Sequence, residues 1–125
     1  MIEEWQDLND VFADFDGEFG ADYRGLSQNM LLADTSGNIG YRLLQTQPVR
    51  IDKTPFIGAR VLDGTTSKYD WTDQVVPLRD LPKSLNPKKG YLMTANGRQT
   101  SDHAINEIGA TVNSPGRVLR IDERL

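Results

Sequence analysis

Cysteine is absent from the 125-residue chain, which excludes a disulfide framework, a thiolate metal site and a cysteine nucleophile within it. Histidine is nearly absent. His103 stands alone, with no second His or Cys at ligand spacing, and reads as a solvent-exposed loop residue rather than a metal ligand or proton carrier. No apolar run approaches the ~18 residues a membrane-spanning helix needs, and Met1 to Trp5 has neither the basic nor the apolar region of an export signal. Any such signal in a parent protein is expected upstream of this stretch. Clustered positive charge is missing as well. A formal net charge of -4 and a pI near 4.9 disfavour a nucleic-acid partner, because phosphate-backbone affinity comes from Lys and Arg displacing counterions. Internal repeats and low-complexity tracts are also lacking.

What is present is the composition of a loop-rich globular chain: 38% hydrophobic and 26% charged residues, with 11 Gly and 6 Pro to break the chain into short elements. Trp5, Leu8, Val11, Phe12 and Phe15 recur at helical spacing, so residues 3–15 are predicted as an amphipathic helix ended by Gly17 and Gly20. The apolar run from Asn29 to Ala33, the turn Asp34-Thr-Ser-Gly37 and the stretch from Asn38 to Leu44 read as a β-hairpin. From Gln47 to Ser67, Pro48, Pro55 and two glycines break any period, which predicts a long loop with one strand near Ala59 to Leu62. Asn86-Pro-Lys-Lys-Gly90 is turn chemistry ahead of a third strand, Tyr91 to Ala95, that ends at Asn96-Gly97. Ser101 could cap a helical stretch through Ala104, Ile105 and Ile108, and Val118, Ile121 and Leu125 would share one face of a final helix. The expected class is α+β: an N-terminal helix, mostly antiparallel strands and a C-terminal helix. A final helix that stops on an apolar residue and a loop of about twenty residues suggest a segment that leans on partners outside it.

Few residues carry chemistry on local pattern alone. Aligning Gly17 with the glycine of a calcium loop would put Phe12 and Tyr23 at the first and last ligand positions, where oxygens are required, so Asp14 and Asp16 do not form such a loop. Asn96-Gly97 has two readings: a tight hairpin turn, since both residues tolerate positive φ, or a placement of the Asn96 amide as a hydrogen-bond donor to developing negative charge. Arg117 follows Pro115-Gly116 and opens the last helix, where its charge opposes the helix dipole. It reaches solvent, a carboxylate such as Asp122 or Glu123, or a more specific partner.

Five ordered pieces make a larger pattern: Asp34-Thr-Ser-Gly-Asn-Ile-Gly-Tyr41, Pro48-Val-Arg50, Asp70-Trp-Thr72 with Pro77, Leu81-Pro-Lys-Ser-Leu-Asn-Pro-Lys-Lys-Gly-Tyr91, and Thr94-Ala-Asn96. In order and spacing they resemble the penicillin acylase family of N-terminal-nucleophile hydrolases, over Asn29 to Leu125, in the large-subunit region. The resemblance implies an αββα sandwich in the parent. It also implies a nucleophilic serine freed by precursor cleavage, whose own α-amino group serves as its base. That serine is expected outside this chain, which alone should be inactive.

By the same resemblance Asn96 is the oxyanion-hole asparagine; Gly97 departs from the second asparagine the family often has there. Arg117-Val-Leu-Arg-Ile121 matches the family's Arg-x-x-x-Ile helix, which implies that Arg117 holds the asparagine and the terminal amine in place, with Arg120 as the competing candidate. Family members bind a structural calcium through carboxylates, and Asp102 is the nearest match; its alternative is to cap the stretch near Ser101. No cofactor is implied for the chemistry. The expected substrate is an acylated amine of the penicillin, cephalosporin or acyl-homoserine lactone type. The expected partners are the small subunit and the nucleophile-bearing part of the same precursor, in a periplasmic or secreted parent, with self-association of the isolated segment through open strand edges. The alternative is a noncatalytic structural or binding module derived from the same fold.

Overall fold

The computed structural model describes residues 5–54, 57, 60–96 and 115–125. It divides into two compact units: residues 1–46 with 77–93, and residues 47–76 with 94–125. Helices and antiparallel strands occur in both units, in keeping with the α+β expectation.

In the first unit, helix α1 spans Leu8–Asp16. It begins later than the predicted residue 3 because Asp7 takes the first free amides: Asn9 N and Asp10 N donate to its Oδ1 at 2.7 and 3.2 Å. Trp5 therefore lies before the helix and stays 44% exposed, rather than joining the core. Gly17 ends α1, but Gly20 does not stop the chain from coiling; it sits inside a second short helix, α2 (Glu18–Asp22). A Cβ at Gly20 would stand 1.9 Å from the Phe15 carbonyl oxygen, so only glycine lets α2 turn this close to α1.

Strands β1 (Gln28–Ala33) and β2 (Ile39–Leu44) form the predicted hairpin, in register from Gln28 opposite Leu44 to Ala33 opposite Ile39. The third strand of this sheet, β5 (Lys83–Leu85), pairs with the other edge of β2, giving the order β1-β2-β5. The strand predicted at Tyr91 to Ala95 is not formed. With β1 and β5 on its two edges, β2 has no free edge to offer that segment, which follows the Asn86 to Gly90 turn as irregular chain.

β2 is central, and from Gly40 to Leu44 every residue is buried. Leu8, Val11 and Phe15 of α1, Tyr41, Leu43 and Leu44 of β2, and Leu78 and Leu81 from the link before β5 make the core of this unit. Gly40 lets α1 approach: a Cβ there would meet the Phe12 ring at 2.8 Å.

Arg42 is the exception to an apolar core. It is 1% exposed, with its guanidinium 5.1 Å from the Phe12 ring centre and 5.7 Å from that of Phe15. Asp16 answers its charge at 2.7 Å and also pairs with Lys83. Burial pushes the Asp16 carboxyl up, but Lys83 and Arg42 outweigh it and hold the group below its ordinary value of 3.8.

The hairpin turn is tied to its surroundings by side-chain bonds. Asp34 Oδ1 accepts from Ser36 N and Asn38 N, both at 2.9 Å, and its Oδ2 accepts from Asn38 Nδ2 and from Leu8 N at the start of α1. Asn38 Oδ1 accepts from Asn86 Nδ2 at 2.9 Å, and Ile39 N donates to Asn86 Oδ1 at 3.0 Å. One connected set thus fixes the helix start, the turn and the end of β5.

In the second unit, β3 (Gln47–Arg50) and β4 (Trp71–Val76) form an antiparallel ribbon with an irregularity between Pro48 and Arg50. This ribbon replaces part of the predicted loop. Pro48, which reads as a breaker, is tolerated because β3 pairs on one side only. Arg50 stacks on Trp71 at 3.5 Å and donates to Tyr69 O, and Thr72 Oγ1 donates to Val49 O. Val61 and Leu62 are not in a strand, contrary to expectation; Asp63, between them and the ribbon, accepts from Thr65 N and Thr65 Oγ1 and bends the chain instead. Helix α3 (Gly116–Asp122) is the predicted final helix, but it ends before Leu125, and Ile121 and Leu125 are exposed rather than joined on a packed face.

Candidate functional site

Asn96 and Arg117 are 21 residues apart in sequence and meet in space. Arg117 Nη2 donates to Asn96 Oδ1 at 2.6 Å and to the Ala95 carbonyl at 3.2 Å. The position of Arg117 early in α3, unfavourable to the helix dipole, is explained by these two acceptors.

Asn96 sits at φ +59, a left-handed conformation that asparagine tolerates better than most residues. It occupies a bend, and residues 91–95 directly before it are not in a strand, so Asn96 does not end one. With residue 96 in this conformation, the Asn96 side chain and the Ala95 carbonyl meet the same guanidinium.

The contact has a chemical consequence. An amide offers a carbonyl that only accepts and an NH2 that only donates, whereas guanidinium only donates. Arg117 therefore selects the orientation in which Oδ1 faces it and Nδ2 faces away. Drawing electron density toward Oδ1 also makes the Nδ2 hydrogens better donors. Both side chains are exposed in this chain.

The other candidates separate from this pair. Arg120 is engaged with Glu123 at 2.9 Å on the outside of α3, which leaves Arg117 as the arginine at Asn96. Asp102 and His103 lie outside the described residues, as does the predicted helical stretch after Ser101. Asp14 accepts from Trp5 Nε1 at 3.0 Å and Asp16 is held by Arg42 and Lys83, so both carboxylates have structural employment. Among the described residues no group of three or more His, Cys, Asp or Glu is arranged to hold a metal, and no helix is long and apolar enough to cross a membrane.

Reading by sequence alone did not foresee the Asp34, Asn38 and Asn86 network or the buried Arg42. The first had a signal in the two asparagines flanking turn glycines and prolines; the second had none, because an arginine inside an apolar strand looks the same whether it is buried or exposed.

Comparison with known proteins places these features. Residues 5–125 match the family described as penicillin amidase. A penicillin G acylase of Escherichia coli is 30% identical over 103 residues, 82% of this chain and 12% of that protein. A penicillin acylase 2 proenzyme of a Pseudomonas species, strain SE83, is 25% identical over 100 residues, 80% of this chain and 12% of that protein. The chain thus spans about an eighth of the length of these relatives. With its match running from Trp5 to the last residue, the chain belongs to the penicillin amidase family.

Proposed function

We propose that this chain is part of an amide hydrolase that cleaves an acylated amine through an acyl-enzyme, and that Asn96 supplies an oxyanion-hole donor held by Arg117. The observation that carries the proposal is the 2.6 Å bond from Arg117 to Asn96 Oδ1, which leaves Nδ2 turned away from the cation, as a donor to a substrate oxygen must be. A donor locked in place before reaction stabilises charge that appears only in the transition state.

In this reading a serine freed by precursor cleavage, outside these residues, attacks the substrate carbonyl, and its α-amino group takes the proton. The carbonyl oxygen becomes negative and accepts from Asn96 Nδ2. Arg117 is a positioning residue, acting through Asn96. The substrate class is that of the relatives' names, a penicillin or a related acylated amine such as a cephalosporin or an acyl-homoserine lactone. The parent would have the layered N-terminal-nucleophile sandwich, of which the two antiparallel sheets here would be parts. Asp102 would be one ligand of a structural calcium. Calcium takes about six to eight oxygens, so the remainder of the parent would supply the others, and no step of the reaction passes through it.

The test is the full-length precursor with Asn96→Ala, assayed on a short panel of acylated amines. Loss of one oxyanion donor should lower kcat by roughly 10²- to 10³-fold with a smaller change in KM. Arg117→Ala should lower kcat less. Unchanged turnover by the Asn96 variant would remove this residue from the mechanism, and a full-length protein inactive on the whole panel would favour the noncatalytic module.

A further inference from the structure

We propose that Asn96 is a site of spontaneous deamidation and that Arg117 accelerates it in the folded chain. Asn96-Gly97 is the single Asn-Gly sequence among the 125 residues. Attack on an asparagine side chain by the following backbone nitrogen is slowed chiefly by the bulk of the following residue, and glycine has none. Asn96 is also exposed, so water reaches its side-chain amide.

The chemistry needs only water. The Gly97 backbone nitrogen gives up its proton to solvent and forms a bond to Asn96 Cγ, and Oδ1 takes the negative charge. Nδ2 then takes a proton from solvent, the Cγ–Oδ1 double bond re-forms and the Cγ–Nδ2 bond breaks, with ammonia leaving and a five-membered succinimide remaining. Water opens the ring at either carbonyl, giving aspartate or isoaspartate. Ammonia is lost and water gained, with no change of oxidation state.

Arg117 stands where this sequence needs help. Its Nη2 lies 2.6 Å from Oδ1, the atom that turns negative as the nitrogen attacks. A charge-assisted donor there binds the tetrahedral species more strongly than the neutral amide. Because Oδ1 faces the guanidinium, the departing Nδ2 faces away from it. The other described asparagines lack this arrangement. Asn86 precedes Pro87, which has no N–H; Asn38 precedes the branched Ile39, and its amide is held by Asp34 and Asn86; Asn29 lies in β1, with its backbone in the ladder; Asn9 precedes Asp10 inside α1, with its amide donating to Asp7.

The consequence rests on the proposed role of Asn96: conversion would replace the oxyanion donor with a carboxylate that repels the oxyanion. The bond that fixes the donor would then also shorten its lifetime.

The experiment follows the chemistry and not the activity. The folded 125-residue chain is incubated in mildly alkaline buffer and digested with trypsin. The peptide Gly90 to Arg98, in which Asn96 is the sole side-chain amide, is separated into its asparagine, aspartate and isoaspartate forms by chromatography and mass spectrometry. The wild type should convert with isoaspartate as the larger product, and Gly97→Ala should suppress the conversion. Arg117→Ala should slow it roughly three- to tenfold, the share expected of one solvent-exposed charge-assisted bond. Arg117→Lys should fall between, and all Arg117 variants should react equally in urea. Should Arg117→Ala fail to fold, its rates in buffer and urea will coincide, and Arg117→Lys decides. No conversion in folded wild type, or equal or faster conversion in the folded Arg117 variants, overturns the proposal. Either result leaves the Asn96→Ala assay on the parent enzyme to judge the oxyanion role separately.

Discussion

Removing Asp16 should destabilise the first unit far more than removing Arg42, although the two form one ion pair. Arg42 is 1% exposed, and Asp16 supplies its counter-charge at 2.7 Å; the Asp16 side chain itself keeps 33% of its surface in water and retains Lys83 as a second partner. Asp16→Asn leaves a buried guanidinium without a carboxylate. Stranding one member of a buried pair costs about 3–5 kcal/mol, reduced here because the Phe12 and Phe15 rings remain beside the cation, so the expected loss is about 2–4 kcal/mol. Arg42→Met removes the charge together with its need for a partner and fills much of the same space, for an expected cost under about 1.5 kcal/mol. Urea unfolding followed by far-ultraviolet circular dichroism measures both. The double variant should resemble Arg42→Met alone, because Asp16 matters chiefly through Arg42. The reasoning fails if Asp16→Asn proves the milder change, or if the double variant shows the two losses simply added.

Acid should act through the same carboxylate and three others. Asn38 holds the Asp34 carboxyl below its ordinary value, Thr54 does so for Asp52 and Thr65 for Asp63, while at Asp16 Lys83 and Arg42 overcome desolvation. A carboxyl whose folded pKa is depressed gives stability that is present above 3.8 and is lost as pH falls through the folded value. The urea midpoint should therefore hold above that value and drop beneath it, and a flat profile down to about pH 2 would contradict the assignment. At the other extreme, burial pushes the Tyr41 hydroxyl up to about 12 from 10. Stability should be intact below 10 and fall as pH rises through the folded value, and a Tyr41→Phe chain should lose this alkaline dependence in the same unfolding assay. Gly40→Ala should cost about 1–3 kcal/mol by pushing on the Phe12 ring, and shortening that ring with Phe12→Leu should recover part of the loss. Asn86, at φ +46, makes two side-chain bonds; Asn86→Gly should keep the backbone but lose those bonds, about 1 kcal/mol in thermal unfolding, and Asn86→Ala should lose more.

The hairpin of β1 and β2 was legible because turn residues at Asp34 to Gly37 separate two apolar runs, and local rules suffice for a local contact. β5 was misplaced for the opposite reason. Lys83-Ser-Leu85 is too short to carry a pattern, whereas Tyr91 to Ala95 is a good strand in composition; the choice between them was made by which segment reached the edge of β2, a matter of distant contacts. The ribbon of β3 and β4 was hidden by Pro48, whose effect depends on whether its missing N–H would have faced a neighbour. Arg42 shows the same limit in energetic terms. Its burial follows from Asp16 and two aromatic rings brought from another element, and only the fold assembles them.

The pairing of Asn96 with Arg117 illustrates how much of the proposed site depends on surroundings that a local pattern does not carry. In water the attraction between a guanidinium and an amide oxygen is weak, because solvent competes for both groups and screens the charge; moved to an interior of low effective dielectric, the same contact strengthens severalfold. Both side chains are exposed in this chain, yet the bond already fixes which end of the amide faces outward. Geometry and strength thus come from different sources: the left-handed bend at residue 96 and the start of α3 supply the first, and in the proposed enzyme the rest of the precursor would supply the second by excluding water. Arg117→Lys separates them, since lysine keeps the charge but not the fixed N–H directions of the planar guanidinium, whose Nη2 reaches Oδ1 and the Ala95 carbonyl together. In the full-length enzyme that variant should lower kcat while leaving KM little changed. A drop confined to KM would mean that Arg117 helps to bind substrate rather than to aim the asparagine.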